Sequence, residues 1–107
     1  MIDLSMLNNK TFDIKLQDGT ELNIRKPSNE LFKETFRMIK LMEANSEDDK
    51  KISAIYIFLM KVINRNLNNI KFTQSQLEEM IDIDVAMYLV KEYQNFLNEV
   101  VQDINFF

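Results

Sequence analysis

The side chains with the clearest chemical character are five cations near the start of the predicted helical region. Lys33, Arg37 and Lys40 recur at i, i+4 and i+7, which places them on one face of a helix. Arg25 and Lys26 precede them along the chain. This basic face could contact nucleic acid or an acidic protein. It could equally be an ordinary solvated face, partly balanced by neighbouring glutamates, and both interpretations stay open.

Carboxylates are the other groups that could do chemistry, as metal ligands or as an acid and base pair. The triplet 47–49 stands at a predicted helix start, where successive side chains diverge by about 100° and cannot easily share one ion. Asp82 and Asp84 lack the glycine and the terminal glutamate of a calcium loop. No feature of the sequence places two carboxyl groups in one pocket for acid–base catalysis. We therefore interpret both acidic groups as helix caps and predict no metal site.

The residue types that the chain lacks exclude most catalytic chemistry. It contains no histidine and no cysteine, so Ser-His-Asp triads, imidazole-bound metals, thiolate nucleophiles and disulfides are excluded. Its single glycine cannot build a phosphate-binding loop, which needs several residues of unusual backbone conformation. Neither a cofactor nor an enzymatic activity is predicted. The net charge of −4 opposes phosphate backbones at long range, so nucleic acid is not the expected partner.

Length and composition predict one globular domain covering residues 1–107. A chain of 107 residues supports a single hydrophobic core. One glycine and one proline argue against loop-rich designs and favour helices. The start of the chain lacks the cationic and long apolar regions of a signal peptide, and the longest apolar stretch is too short to span a bilayer. A cytoplasmic location without membrane contact is therefore expected.

Residues 10–26 alternate apolar and polar side chains on both sides of Gly19, which predicts a β-hairpin. A two-residue turn would scatter the apolar side chains over both faces of the hairpin. A three-residue loop, with Gly19 in the left-handed conformation of a G1 bulge, gathers them on one face. The predicted pairs are Leu16 with Thr20, Ile14 with Leu22 and Phe12 with Ile24. An isolated hairpin is marginally stable, so its apolar face must pack on helices.

Capping residues predict about four helices within residues 28–105. The expected start signals are Ser28 for helix 1, Ser46 with Asp49 for helix 2, Thr73 with Gln76 for helix 3, and Asp82 or Asp84 for helix 4. Asparagines among residues 64–69 end helix 2, because asparagine tolerates the left-handed conformation. The predicted fold is mainly α with a small N-terminal β-hairpin (α+β), in which the hairpin packs on a bundle of about four helices.

Helices 2 and 4 carry more apolar residues than one small core would use. The stretch from Ile52 to Ile63 is apolar almost all round, which is typical of a core or interface element. The apolar stripe of helix 4 runs for about five turns, so helix 4 is either an amphipathic core helix or one whose distal half packs on another chain. The candidate residues for a partner or for self-association are Tyr93, Leu97, Val100, Val101 and Ile104. We expect a homo-oligomer.

The hairpin sequence Phe12-Asp13-Ile14-Lys15-Leu16-Gln17-Asp18-Gly19-Thr20-Glu21-Leu22, followed by Arg25-Lys26-Pro27-Ser28 and helices, resembles tail assembly chaperones of long-tailed (siphovirus-type) bacteriophages and prophages. The resemblance implies a non-enzymatic protein of the host cytoplasm that is absent from the mature virion. It implies binding to the helical tape measure protein, recruitment of the major tail protein and help in tail tube assembly. The alternative is a small phage regulatory or inhibitory protein that contacts nucleic acid, or a nucleic-acid enzyme, through the basic face of helix 1.

The resemblance also implies a second, longer product made by ribosomal slippage near the stop codon. Asn105-Phe106-Phe107 would permit the slip if its codons are AAU-UUU-UUU, because the uridine run allows paired tRNAs to shift by one base. The alternatives are a frayed terminus or two aromatic residues that pack on helix 4.

Overall fold

A computed structural model describes residue 1, residues 10–44 and residues 48–105, with side chains as far as Val101. The elements are β1 (Phe12–Lys15), β2 (Glu21–Ile24), α1 (Asn29–Glu43), α2 (Asp49–Ile63), α3 (Gln74–Met80) and α4 (Ile83–Asn105). The predicted fold class is confirmed, since the chain is mainly helical and its N-terminal hairpin packs against the helices. The predictions on Ser46, on the side chain of Ile104, and on Phe106 and Phe107 lie outside the described residues.

The hairpin has the predicted register and the predicted three-residue loop. The Leu16 amide donates to the Thr20 carbonyl at 2.8 Å, and the Gly19 amide donates to the Leu16 carbonyl at 2.9 Å. Gly19 has a φ of 93°, in the region that only glycine adopts freely. Leu22 and Ile24 of β2 are fully buried. The alternation of apolar side chains therefore fixes which face of the hairpin meets the helices.

The connector after α2 forms an extra edge on β2, which the sequence patterns did not indicate. The Arg25 amide donates to the Arg65 carbonyl at 3.1 Å, and the Leu67 amide donates to the Asn23 carbonyl at 2.9 Å. The Asn68 side-chain oxygen accepts from the Asn23 amide at 2.8 Å. These bonds satisfy backbone groups that a two-stranded hairpin would leave open at its edge.

Asparagines hold the connector in place through side-chain bonds to its backbone. Asn66 is 8% exposed, and its Nδ2 donates to the carbonyls of Ile63 and Ile70 at 2.8 and 2.7 Å. Its Oδ1 accepts from the amides of Asn68 and Ile70. α2 ends at Ile63 with Asn64 as its C-cap, so the helix ends among the asparagines as predicted, although Asn64 is in the right-handed conformation. Asn69, further along the connector, has the left-handed φ of 60° that asparagine tolerates.

Three of the predicted helix starts are confirmed. The Ser28 hydroxyl accepts from the backbone of the first turn of α1, and Thr73 and Gln76 form both bonds of a capping box at α3. α4 begins directly after Asp82, whose carbonyl accepts from the Ala86 amide at 2.9 Å. Short polar side chains before an apolar run therefore located these boundaries correctly.

The N-cap of α2 is Asp48, whose carboxylate accepts from the Lys51 amide at 2.8 Å. A charged acceptor at this position also opposes the positive end of the helix dipole. The Lys51 ammonium group, which is buried, donates to the carbonyls of Ala44 at 2.7 Å and Met42 at 3.4 Å. Lys51 thereby ties the end of α1 to the start of α2.

α2 is the central element, as its apolar sequence predicts. It packs against β2, α1, α3 and α4. Its fully or nearly fully buried apolar residues are Ile55, Tyr56, Phe58, Leu59, Val62 and Ile63. Ile57 is the large apolar residue of α2 that reaches the surface, with 36% exposure. Among the described helices, none combines the length and the apolar character needed to cross a membrane.

Candidate protein-docking site

The residues predicted for self-association divide between the core and the surface. Tyr93 and Leu97 are each 1% exposed and Val100 is 7% exposed in the single chain, whereas Val101 is 37% exposed. The side chain of Ile104 is not among those described. Another chain cannot reach Tyr93, Leu97 or Val100 while this core is closed, and Val101 is the predicted residue that is accessible in the single chain.

The hairpin, together with α1 and α2, buries this part of α4. The Phe12 ring meets the Tyr93 ring edge-on at a centroid distance of 5.3 Å and lies 5.7 Å from the Phe96 ring. The Tyr93 hydroxyl is buried and has no hydrogen-bond partner in the described part of the chain. Burial raises the pKa of Tyr93, although the nearby charge of Arg65 acts in the opposite direction. This aromatic cluster belongs to the core and offers no reactive group to solvent.

An apolar groove lies between the hairpin and the corner where α3 meets α4. It has a volume of about 440 Å³ and is open to solvent. Its apolar lining residues are Ile14, Leu16, Met80, Ile81, Val85 and Leu89. The polar residues of the hairpin loop, Gln17 and Asp18, form part of its edge. A concave surface with mostly apolar walls is the usual form of a binding site for an apolar ligand or side chain.

Exposed apolar residues on α4 extend this surface. Val85, which lines the groove, is 37% exposed, and Tyr88, one turn further along α4, is 60% exposed. Ala86 and Val90, on another face of the same turns, are fully buried. Leu89 lines the groove and also packs against the core, so on this part of α4 the exposed apolar side chains are those of Val85 and Tyr88. Adjacent exposed apolar residues beside a groove are characteristic of a protein-interaction surface.

The α3–α4 corner is acidic. Between Lys71 and Lys91 the chain contains four acidic residues and no basic residue. These acidic residues, all exposed, are Glu78, Glu79, Asp82 and Asp84. Glu79 also lines the groove.

Two further observations describe the charge around the groove. The Tyr56 hydroxyl donates to the carbonyl of Ile81, a groove residue. Burial raises the pKa of Tyr56, and the negative charges of Asp82, Glu78 and Asp84 raise it further, in that order. On the hairpin side, Lys15 lines the groove but stands opposite Glu21 in the strand register. The surface beside the groove is therefore predominantly negative.

The residues of the predicted basic face lie elsewhere and do not converge on one site. Lys33, Arg37 and Lys40 are exposed along α1. Arg25 is exposed near the connector, where its Nε donates to the Arg65 carbonyl at 3.2 Å. Lys26 is half-buried, and its carbonyl accepts from Arg65 Nη2 at 2.7 Å. None of the five predicted basic residues lines the apolar groove.

A second, more polar depression lies between α1 and the end of α2. It has a volume of about 490 Å³ and includes Arg37 and Arg65. Lys61 also lines it, and its ammonium group lies 3.0 Å from the Glu34 carboxylate. Because carboxylates and cations are mixed here, the depression does not form a purely cationic anion site. Within the described residues, no group of three or more acidic side chains is arranged to hold a metal ion.

Sequence reasoning did not single out Val85 or Tyr88 as surface residues. A signal was available, because apolar residues at 85, 88 and 89 define one helix face while those at 86, 90 and 93 define another. Periodicity alone does not say which of the two faces the core covers.

Comparison of the chain with protein-family models, with curated proteins and with solved structures found no match.

Proposed function

We propose that this chain is a non-enzymatic tail assembly chaperone of a long-tailed bacteriophage or prophage. It binds the tape measure protein in the host cytoplasm, helps recruit the major tail protein and aids assembly of the tail tube, without becoming part of the mature virion. The observation that best supports this proposal is the open apolar groove, extended by the exposed side chains of Val85 and Tyr88. A protein that holds a long helical client needs such a surface.

The groove suits the docking of an amphipathic helix. A client helix presents apolar residues at i, i+3, i+4 and i+7, and a groove between two elements accepts such a stripe. Met80 adds an adaptable wall, because an unbranched thioether side chain repacks against different partners. The small size of the groove favours weak, reversible contacts with each client segment. Weak contacts suit a chaperone that must be displaced when the tail tube forms.

The proposal expects a tape measure gene next to the gene of this chain, and co-expression of the two proteins tests it. We expect the two proteins to co-purify and the soluble fraction of the tape measure protein to rise. The double variant Val85→Ser/Tyr88→Ser should lose both effects. The matched control is Ile57→Ser/Leu67→Ser, because Ile57 and Leu67 are 36% and 58% exposed and lie outside the groove.

Two results would contradict the proposal. One is a gene neighbourhood that encodes no tape measure protein. The other is a wild-type chain that neither co-purifies with the tape measure protein nor increases its solubility.

A regulatory protein that contacts nucleic acid is the second candidate function. The observation in its favour is that Lys33, Arg37 and Lys40 are exposed and form no ion pair with any described residue. Binding to duplex DNA that weakens steeply with salt, and that is lost in Lys33→Gln/Arg37→Gln/Lys40→Gln, would favour this function over the chaperone.

A further inference from the structure

We infer that the segment held in the groove is a basic amphipathic helix, whose apolar stripe is flanked by lysine or arginine. This inference rests on the proposed function, because it describes the client of the same groove. The inference goes beyond the proposed function in specifying the charge of the client, which neither the fold nor the apolar lining specifies.

The apolar part of the inference follows from the shape of the site. The groove runs beside α4, and Val85 and Leu89 stand one turn apart on the same helix face. Tyr88, which is 60% exposed, offers a broad ring next to them. Side chains one turn apart on a client helix would meet this row of apolar residues.

The charge of the client follows from the acidic corner. Glu78, Glu79, Asp82 and Asp84 are exposed and form no ion pair with any described residue. The groove lining itself carries two negative charges, Asp18 and Glu79, against the single positive charge of Lys15. Basic residues that flank the client's apolar stripe would therefore meet an excess of carboxylates. An acidic client would place like charges together, which disfavours binding.

A second copy of the chain is a poorer occupant. The helix with the right charge is α1, which carries Lys33, Arg37 and Lys40. Its exposed large apolar residue is Phe36, at 36% exposure. One such residue does not make the apolar stripe that the groove and Tyr88 would cover. A separate client helix therefore fits the surface better than a second α1.

Three synthetic peptides test the inference directly. Each is about 20 residues long, so that it can form a stable helix, and carries the same leucine stripe. The flanking residues are lysine in the first peptide, glutamine in the second and glutamate in the third. We expect fluorescence anisotropy to show that the lysine peptide binds at least about tenfold more tightly than the glutamate peptide. Added salt should reduce this difference, because it screens exposed charges.

Charge-reversal variants of the protein complete the test. Glu78→Lys/Glu79→Lys should abolish the preference for the lysine peptide. Glu43→Lys/Glu99→Lys, at exposed positions outside the groove, changes the net charge by the same amount and should keep the preference. Circular dichroism checks that both variants retain the helicity of the wild type.

The outcomes separate this inference from the proposed function. Equal binding of all three peptides, with loss in Val85→Ser/Tyr88→Ser, would overturn the charge inference and leave the chaperone proposal standing. Failure of every peptide to bind, although the tape measure protein co-purifies, would overturn the helical client. A dimer of the free chain that Val85→Ser/Tyr88→Ser converts to a monomer would also overturn the inference, because a second copy would then occupy the groove.

Discussion

Tyr88 and Tyr93 lie on the same helix, less than two turns apart, and have opposite environments. Tyr93 is 1% exposed and packs against Phe12 of the hairpin, whereas Tyr88 is 60% exposed. Five residues turn the helix by about 140° beyond one full revolution, so the two rings point to different sides. One side of α4 therefore packs in the core, and Tyr88 on the other side is exposed among the described residues. The comparison teaches that apolar character alone does not tell a buried face from an exposed one.

The side chains on the buried side of α4 should contribute most to the free energy of unfolding. We expect Leu97→Ala to lower the free energy of unfolding by about 2 to 5 kcal/mol, because Leu97 is 1% exposed and its loss leaves a cavity. Urea denaturation, with an unchanged m-value, gives this number. A loss below about 1 kcal/mol, accompanied by dissociation of an oligomer, would restore Leu97 to the intermolecular surface predicted from the sequence.

Gly19, in the hairpin loop, shows that an exposed residue can also be structurally required. Its φ of 93° disfavours any residue with a Cβ, although an added Cβ would meet no neighbouring atom within 4 Å. We expect Gly19→Val to cost about 1 to 2 kcal/mol through the backbone alone. Asp18→Ala should cost less, since it removes one exposed bond from the Thr20 amide. Equal melting temperatures for the two variants would reject this loop geometry.

The buried hydroxyl of Tyr93 predicts a gain in stability on its removal. Since this group has no described hydrogen-bond partner, Tyr93→Phe should raise the free energy of unfolding by about 1 kcal/mol at neutral pH. Burial raises the pKa of Tyr93 in the folded chain, while an unfolded tyrosine titrates near pH 10. Below about pH 10 Tyr93 is protonated in both the folded and the unfolded chain, so its titration does not change the free energy of unfolding. Above about pH 10 the unfolded chain loses this proton first, and the free energy of unfolding of the wild type falls as the pH rises.

The Tyr93→Phe variant should accordingly lose less stability in alkali than the wild type does. Denaturation at neutral and at alkaline pH measures this difference. A destabilised Tyr93→Phe variant at neutral pH would show that the hydroxyl has a partner after all.

The exposed side chains of Val85 and Tyr88 on α4 should contribute least to the free energy of unfolding. Val85→Ser/Tyr88→Ser is expected to change the free energy of unfolding by no more than about 0.5 kcal/mol per site, because both side chains are substantially exposed. Thermal melting checks this value against the Ile57→Ser/Leu67→Ser control. Cooperative unfolding of the groove variant at a much lower temperature would show that Val85 and Tyr88 belong to the core.

The hairpin shows which features can be predicted from residues that are close in sequence. Its register and the positive φ of Gly19 follow from the alternation of apolar residues and from turn geometry. The capping box of Thr73 and Gln76 follows in the same way, since its bonds join residues close in sequence. Such features are predictable because each one depends on a few neighbouring residues.

The features that escaped prediction depend on distant parts of the chain. The pairing of Leu67 with Asn23 joins residues far apart in sequence, and so does the contact of Phe12 with Tyr93. Whether Tyr93 or Tyr88 is buried depends on which side of α4 faces α1, α2 and the hairpin. The groove could not be predicted for the same reason, because its walls come from the hairpin, α3 and α4.

Amide chemical-shift mapping by NMR, with the lysine-flanked peptide as ligand, tests the docking surface most directly. The largest shifts should appear at the groove residues Ile14, Leu16, Met80, Val85 and Leu89, and the same peptide should cause no comparable shifts in Val85→Ser/Tyr88→Ser. Shifts confined to Lys33, Arg37 and Lys40 on α1 would contradict a docking site beside Tyr88.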